Sequence, residues 1–203
     1  MIRNPSKDQV LWRLTAMLSL IAALVGVFNP GIYSKVVSTE IIPAVFGQDL
    51  ITIVASSIIL LLTIRIKKED SKKQIVILGI LGYLFYAYGI YVIERVYNVL
   101  YYFYLAIFGL SFWSIVYGIA SIRQEILQKV ELSRLIRNIS AGFSLFVALV
   151  FNALWIIQLL PLIKTGEKIE FLYSINILDL CFIMSTFMIS VSWLSRKRDW
   201  DCF

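Results

Sequence analysis

Apolar and polar residues alternate along this chain in long blocks. Six apolar stretches are separated by shorter segments in which most of the charged residues collect. An α-helix rises about 1.5 Å per residue, so about 20 apolar residues cross the roughly 30 Å hydrocarbon core of a bilayer. The pattern predicts an all-α polytopic membrane protein: a bundle of six transmembrane helices that forms a single membrane domain over residues 1–203. The expected helices cover residues 10–28, 43–66, 74–96, 99–121, 139–163 and 171–195.

The start of the second helix has two interpretations. Between Asp49 and Arg65 only 15 residues are uncharged, which is short for a span. A helix that begins at Pro43, a residue favoured at the first helical position, has a comfortable length and places Asp49 about 9 Å below its start. The shorter alternative leaves Asp49 near the N-terminus of the helix, where a negative charge suits the helix dipole. We expect the longer helix.

The basic residues predict an orientation. Of the 19 Lys and Arg residues, 15 fall on one side of the predicted bundle and 4 on the other. Because basic loops are retained on the cytoplasmic side, both termini are expected in the cytoplasm. Residues 123–137 mix charges with apolar positions, which predicts a short amphipathic helix on the cytoplasmic membrane surface. The net charge of +6 is thereby assigned to topology, and no nucleic-acid partner is expected.

Composition excludes several chemistries. Hydrophobic residues make up 60% of the chain, above the 45–50% or so of an ordinary soluble domain. Histidine is absent, which excludes Ser-His catalysis and His-ligated zinc. Cys181 and Cys202 are the only cysteines and are too far apart in sequence for a redox pair or a thiolate metal site. We therefore expect no catalytic residues of these kinds, no metal site and no cofactor.

Small and polar residues recur at helical spacing in each predicted helix. Residues three or four positions apart share a helix face, and small or hydroxyl residues let helices approach closely in lipid. We therefore expect these faces to turn inward. They comprise Thr15, Ser19, Ala22 and Gly26; Asp49, Thr52, Ser56 and Thr63; Gly79, Gly82, Tyr86 and Gly89; Tyr102, Ala106, Gly109 and Trp113; Ser144, Ala148, Asn152 and Trp155; and Asn176, Asp179, Thr186, Ser190 and Trp193.

Two carboxylates inside predicted spans are the strongest candidates for function. Asp49 and Asp179 are expected at similar depths in the outer half of the membrane, where an uncompensated charge is costly. They could instead be structural and bond to a neighbouring helix. Tyrosines near the helix ends could line a pocket or form an interfacial aromatic belt. The hypothesis is an outward-facing polar pocket that binds a ligand through Gln48, Asp49, Glu94, Asn98, Asn152 and Asp179, with Tyr86, Tyr88, Tyr91, Tyr101, Tyr102 and Tyr104 nearby.

Two motifs carry a resemblance. Gly47-Gln48-Asp49-Leu50 is followed by a Gly- and Tyr-rich stretch over residues 81–91 and then by Asn98. In this order the chain resembles a group of small bacterial multi-pass membrane proteins in which a G-Q-D-L segment opens the second helix. The similarity covers about the first 120 residues. It implies the bacterial cytoplasmic (inner) membrane as the setting, and it implies no mechanism.

Three classes of function remain open. The first is binding or transport of a cation or small polar ligand through the outward-facing pocket. The second is a structural or interaction subunit that packs against a partner membrane protein. The third is an intramembrane enzyme based on carboxylates, which requires Asp49 and Asp179 to converge within a few ångströms and share a proton. An enzyme is the least expected of the three, and the lipid bilayer is a partner in all of them.

Overall fold

The structure is a computed structural model that describes residues 5–64, 66, 70–121, 133–166 and 173–200. All the regular secondary structure in these described residues is helical, and they contain no β-strand. This confirms the predicted all-α class. Six helices are long and apolar enough to cross a membrane, as the sequence predicts. The chain divides into two compact units, Met1–Lys129 and Val130–Phe203, called unit 1 and unit 2 below.

Unit 1 contains four spanning helices. The four helices form a ring in which each helix packs against its two neighbours. The first helix contacts the second and the fourth, and the third helix contacts the same two. A 3₁₀ turn, Pro30–Ile32, follows α1 because Asn29-Pro30-Gly31 does not continue an α-helix. The helices are α1 (Pro5–Phe28), α2 (Ile42–Thr63), α3 (Ser71–Ile93) and α4 (Tyr101–Ser121).

Unit 2 contains one long helix and one interrupted helix. The long helix, α5 (Arg134–Thr165), starts after the N-cap Ser133 and ends at Gly166, which adopts a left-handed conformation. The interrupted helix consists of α6 (Tyr173–Leu178), a π-helical stretch (Asp179–Ile183) and α7 (Met184–Trp200). Helix α5 packs against α7.

At the majority of helix ends, the observed bound differs from the predicted one by a few residues. Helix α2 starts at Ile42, so Asp49 lies inside the helix as the longer interpretation requires. Helix α1 starts earlier than residue 10, and α5 starts at Arg134, so residues 134–137 of the predicted surface helix belong to α5. The rest of that predicted helix, up to residue 132, lies outside the described residues.

The inward faces of α1 and α2 are those that the sequence predicts. Their polar and small residues are buried: Thr15, Ser19, Ala22, Gly26, Asp49, Thr52, Ser56 and Thr63. In unit 2 Ser144 and Ala148 are also buried, as predicted.

The predicted faces of α3 and α4 are wrong in large part. Tyr102 and Trp113 are exposed, and an added Cβ at Gly79, Gly82 or Gly109 would meet nothing within 4 Å. Both helices are apolar on all sides, so hydrophobicity does not separate the protein-facing side from the lipid-facing side. Of the predicted positions Gly89 is buried. The other buried positions of the two helices are Ser71, Ile77, Leu81, Leu84, Ala87, Tyr88, Tyr91, Tyr104, Ile107, Ser111, Ser114 and Gly118.

The predicted face of the last span breaks at its π-helical stretch. Asn176 and Asp179 are buried before and at the start of this stretch, whereas Thr186 after it is exposed and Met184 is buried. A π-helical turn inserts extra backbone into the helix and rotates all later residues relative to the earlier ones. The 3.6-residue period used for the prediction therefore fails beyond Asp179.

Candidate functional site

Asp49 is held in the interior of unit 1 by the polar face of α2. Helical spacing puts it on the same side as Thr52 and Ser56, and all three are buried. Only 2% of Asp49 is exposed, although it lies seven residues, or about 10 Å, along α2 from Ile42. The carboxylate is therefore enclosed by protein and does not face the surrounding lipid.

Two tyrosine hydroxyls donate to this carboxylate. The Tyr33 hydroxyl lies 2.8 Å from Oδ2, and the Tyr91 hydroxyl lies 3.4 Å from Oδ1. Tyr33 comes from the connection between α1 and α2, just after the 3₁₀ turn, and is itself buried. The break at Pro30 thus returns the chain to the bundle and places a phenol on Asp49.

A line of hydrogen bonds continues from Tyr33 to the α3–α4 connection. The hydroxyls of Tyr33 and Tyr104 are 3.4 Å apart, and Asn98 Nδ2 donates to the Tyr104 hydroxyl at 3.1 Å. Because Asn98 donates to Tyr104, the Tyr104 hydroxyl can donate to Tyr33, which in turn donates to Asp49. Asn98 is half-buried and its Oδ1 accepts from the Leu100 amide at 2.9 Å.

Gly26 forms the α1 side of the site. A Cβ at this position would overlap Oδ2 of Asp49 and would lie 2.6 Å from the Tyr33 hydroxyl. Only glycine allows α1 to approach the carboxylate this closely. The residue completes an enclosure to which α1, α2, α3, α4 and the α1–α2 connection all contribute.

Aromatic rings pack around the carboxylate. The centroid distances are 6.2 Å for Tyr33–Tyr91, 5.8 Å for Tyr88–Tyr91, 5.7 Å for Tyr88–Tyr104 and 4.9 Å for Tyr91–Tyr104. These distances suit tilted or edge-on packing, in which rings present both faces and edges to the centre. We call Asp49 with Tyr33, Tyr88, Tyr91 and Tyr104 the Asp49 cluster.

The Asp49 cluster contains an acidic group but no basic one. Among the residues that the structure describes, Lys73 forms an ion pair with Asp70, and no lysine or arginine pairs with Asp49. Burial raises the pKa of the Tyr33 phenol well above its ordinary value, and the neighbouring Tyr91, Tyr104 and Asp49 raise this pKa further. Tyr33 is therefore a neutral hydrogen-bond donor at physiological pH.

Of the three other predicted site residues of unit 1, one joins the Asp49 cluster and two lie elsewhere. Asn98 joins the Asp49 cluster through Tyr104. Gln48 uses its side-chain amide to donate to the Ala87 carbonyl at 3.2 Å, which ties α2 to α3. Glu94 is half-buried at the C-cap of α3.

The predicted site residues of unit 2 form hydrogen bonds within that unit. The Trp155 indole N–H donates to Oδ2 of Asp179 at 3.1 Å and joins α5 to the start of the π-helical stretch. The Asn152 side-chain amide donates to the Ala148 carbonyl of its own helix at 2.7 Å. A pocket shared by Asp49 and Asp179 stays a prediction, and so does an enzymatic pair of these two carboxylates.

Sequence reasoning missed the closest partner of Asp49. Tyr33 was not among the candidate residues because it lies outside every predicted span. A signal was present, since Tyr33 follows a proline-glycine break at the same end of the bundle as Asp49. Tyr88, Tyr91 and Tyr104 were named as candidates and prove to be buried, whereas Tyr102 is exposed, as a residue of an aromatic belt would be.

The fold and the site together define a helical membrane protein with six span-length helices and a buried carboxylate–tyrosine cluster. No family model matches this chain, and no curated protein or solved structure is found to be similar to it. The resemblance to bacterial proteins with a G-Q-D-L segment therefore stays a prediction.

Proposed function

We propose that this protein binds a cation or a small cationic molecule at the Asp49 cluster, as a membrane binding or transport protein. The observation that carries the proposal is a buried carboxylate with hydroxyl partners and no basic partner among the described residues. An ionised carboxylate in an apolar interior is costly unless its charge is compensated. A bound cation, the proton included, supplies that compensation.

The aromatic surroundings support the same proposal. Tyrosine rings attract cations through the negative potential of their faces, and a carboxylate among several rings is a common way to bind an ammonium group. The hydroxyls of Tyr33 and Tyr91 can also turn their lone pairs toward a cation when it displaces their hydrogen bonds. Asn98, half-buried at the α3–α4 connection, is our candidate for the polar entrance.

The basic-residue count supports a direction of access. With both termini in the cytoplasm of a bacterium and the chain in the inner membrane, the start of α2 and the α3–α4 connection would face outward. The Asp49 cluster would then receive its ligand from outside the cell. Asp179 and Asn152 remain candidates for a second polar site in unit 2.

The test is a thermal unfolding series on the full purified chain in detergent. Sodium, potassium, ammonium and choline chlorides are titrated at constant ionic strength, and pH is varied in a parallel series. A ligand at 100 times its Kd stabilises the folded state by about 2.7 kcal/mol. For a chain of this length that corresponds to a midpoint shift of roughly 5–10 °C.

Asp49→Asn should abolish the shift while the protein stays folded, because the amide keeps the shape and loses the charge. Glu40→Gln is the matched control, since Glu40 is an exposed carboxylate on the α1–α2 connection, and it should keep the shift. Tyr33→Phe leaves the carboxylate in place and should weaken the shift. Equal cation and pH responses in wild type and Asp49→Asn would refute the proposal.

A further inference from the structure

A groove lies between α1 and the end of α2 in unit 1. Its volume is about 370 Å³, which falls within the range of about 300–1,000 Å³ for small-molecule sites. One charged residue, Arg13 of α1, lines it together with residues of α2 that are mostly apolar. We call it the Arg13 groove, and its lining residues are Arg13, Leu60, Leu61, Thr63 and Ile64.

The Arg13 groove is distant from the Asp49 cluster. Helices α1 and α2 run antiparallel, because Gly26 lies against Asp49, and Ser19 Oγ, seven residues earlier on α1, is 2.7 Å from Ser56 Oγ, seven residues later on α2. Arg13 is 13 residues before Gly26 in α1, a separation of about 20 Å along the helix. The groove is therefore a separate site near the opposite end of the helix pair.

Two side chains of α1 hold the end of α2 at this groove. Nη2 of Arg13 donates to the Thr63 carbonyl, and Nε2 of Gln9 donates to the Ile66 carbonyl at 3.3 Å. The last four carbonyls of an α-helix have no partner within the helix, so these bonds satisfy groups that the helix itself leaves open. Arg13 thus has a structural role, which occupies one of the five N–H donors of its guanidinium group.

The charge of Arg13 is not balanced by an acidic side chain of the described residues. Arg13 is exposed, and no Asp or Glu among the residues with described positions forms an ion pair with it. A guanidinium group keeps its charge at every physiological pH, and its planar arrangement of N–H donors matches the oxygens of a phosphate. The groove therefore presents a positive charge and hydrogen-bond donors to an anionic ligand.

The Arg13 groove is on the lipid-facing side of unit 1. Val10 and Met17 lie three residues before and four residues after Arg13, so they share its side of α1, and both are exposed. On α2 the lining residues Leu61 and Ile64 are also exposed. In a spanning helix pair these exposed apolar side chains contact lipid tails, so a surface for an acyl chain lies directly beside the guanidinium group.

The groove is also at the depth of the lipid headgroups. Residues 14–34 of the chain carry no charge and begin directly after Arg13, and α2 ends at Thr63. Residues 65–73, which follow α2, carry five basic and two acidic side chains. In the orientation proposed above, this is the cytoplasmic end. Basic pockets between transmembrane helices on that side typically bind anionic headgroups.

We propose that the Arg13 groove binds an anionic phospholipid. The lipid phosphate contacts the guanidinium group of Arg13, and an acyl chain lies along Leu61 and Ile64. A zwitterionic lipid carries its own cationic group next to the phosphate and therefore gains less from Arg13. This site goes beyond cation binding at Asp49 and does not depend on it.

The structural role of Arg13 and the lipid site place different demands on the side chain. Holding the Thr63 carbonyl requires only an N–H donor, whereas attracting an anionic headgroup requires a positive charge. Arg13→Gln keeps amide donors and removes the charge. Arg13→Lys keeps the charge and removes the planar set of donors. The two variants therefore separate the two roles.

The experiment measures lipid binding to the full purified chain by native mass spectrometry in detergent. Dioleoyl phosphatidylglycerol is the anionic probe, and dioleoyl phosphatidylcholine is the zwitterionic reference with the same acyl chains. Wild type should bind the first phosphatidylglycerol more tightly than phosphatidylcholine. Arg13→Gln should lower the phosphatidylglycerol affinity about fivefold, equivalent to the contribution of about 1 kcal/mol by one basic residue near an anionic surface. The phosphatidylcholine affinity should stay nearly constant, and Arg13→Lys should keep most of the preference.

Two matched pairs of variants test the location of the site. Lys72→Gln removes an exposed positive charge at the start of α3, outside the residues that line the groove, and should keep the phosphatidylglycerol affinity. Leu61→Trp fills the groove without changing any charge and should weaken binding. Val54→Trp places the same residue at an exposed position two turns earlier on α2 and should not weaken it.

Each outcome decides for or against the lipid site. Equal phosphatidylglycerol affinities of wild type and Arg13→Gln would overturn it, and so would equal losses in Arg13→Gln and Lys72→Gln, which indicate diffuse attraction to surface charge. If Arg13→Gln fails to fold, the comparison of Leu61→Trp with Val54→Trp decides, and equal affinities there overturn the site. Millimolar inorganic phosphate should not displace the bound lipid, and displacement would show that the groove binds a free anion instead.

Discussion

Gly26 on α1 lies against the carboxylate of Asp49 on α2, and no side chain fits between them. In an apolar bundle this contact decides how closely α1 approaches the buried charge. The Tyr33 hydroxyl, which donates to Asp49, lies where a Cβ at residue 26 would collide with it. The glycine therefore also allows the hydrogen bond between Tyr33 and Asp49.

Gly26→Ala should therefore destabilise the protein. The new methyl group overlaps the carboxylate and the Tyr33 hydroxyl, and overpacking of this kind typically costs about 1–3 kcal/mol. Thermal unfolding in detergent should show a lower midpoint than wild type. Gly82→Ala is the control because an added Cβ there meets nothing within 4 Å, and its midpoint should not fall. Equal midpoints for wild type and Gly26→Ala would contradict the observed packing.

The buried Tyr33 phenol should make stability depend on alkaline pH. Burial raises its pKa in the folded protein, whereas the unfolded chain keeps a value near 10.0. Above that pH the unfolded state loses the proton first, so the free energy of unfolding should fall as pH rises. Tyr33→Phe should show a shallower decline than wild type, measured by unfolding at several pH values. Identical slopes in the two proteins would show that the phenol is not protected.

Arg95→Gly should stabilise the end of α3. Arg95 has φ of 55°, and it follows the C-cap Glu94 in a turn where the Val96 amide donates to the Tyr91 carbonyl. Glycine adopts this left-handed conformation without the penalty of about 1–2 kcal/mol that other residues incur.

The measurement is again the unfolding midpoint, with Arg95→Ala as the control. Alanine removes the same side chain but keeps the backbone strain, so the midpoint of the glycine variant should exceed that of the alanine variant. A glycine variant no more stable than the alanine variant would show that the turn carries no strain.

Trp155 and Asp179 should be energetically coupled in unit 2. The indole N–H donates to the buried carboxylate at 3.1 Å, and hydrogen bonds to charged groups contribute about 1.5–3 kcal/mol. A double-mutant cycle with Trp155→Phe and Asp179→Asn measures the coupling free energy from four unfolding experiments. Phe143→Leu, at an exposed position of α5 well before Trp155, should show no coupling to Asp179→Asn. A coupling free energy near zero for the first pair would argue against the hydrogen bond.

Parts of the candidate site followed from helical spacing alone. On α1 and α2 the polar residues are few among many apolar ones, so their period of three and four residues identifies the buried face of each helix. Asp49 is expensive to expose to lipid, and its burial among Thr52 and Ser56 follows from that cost. The sequence also predicted that α2 begins early enough to put Asp49 inside the helix.

Other parts depended on contacts between distant residues. Tyr33 reaches Asp49 because the chain turns at Pro30, and no spacing rule describes the path of such a connection. On α3, Gly79 and Gly82 of the expected face are not at close helix contacts, while Tyr88 and Tyr91 are buried. The π-helical stretch at Asp179 likewise changes the face of the last span without a signal in the hydrophobic pattern.

The sequence by itself determined that this protein is helical and has six spans, because about 20 apolar residues in a row satisfy their backbone only as a helix in lipid. Only the tertiary structure decided which sides of α3 and α4 face the protein and which phenols bond to Asp49. The reason is physical: lipid and protein interior are both apolar, so hydrophobicity gives the length of a span but not its inward side. Glycine contacts, turns and hydrogen bonds between helices determine that side.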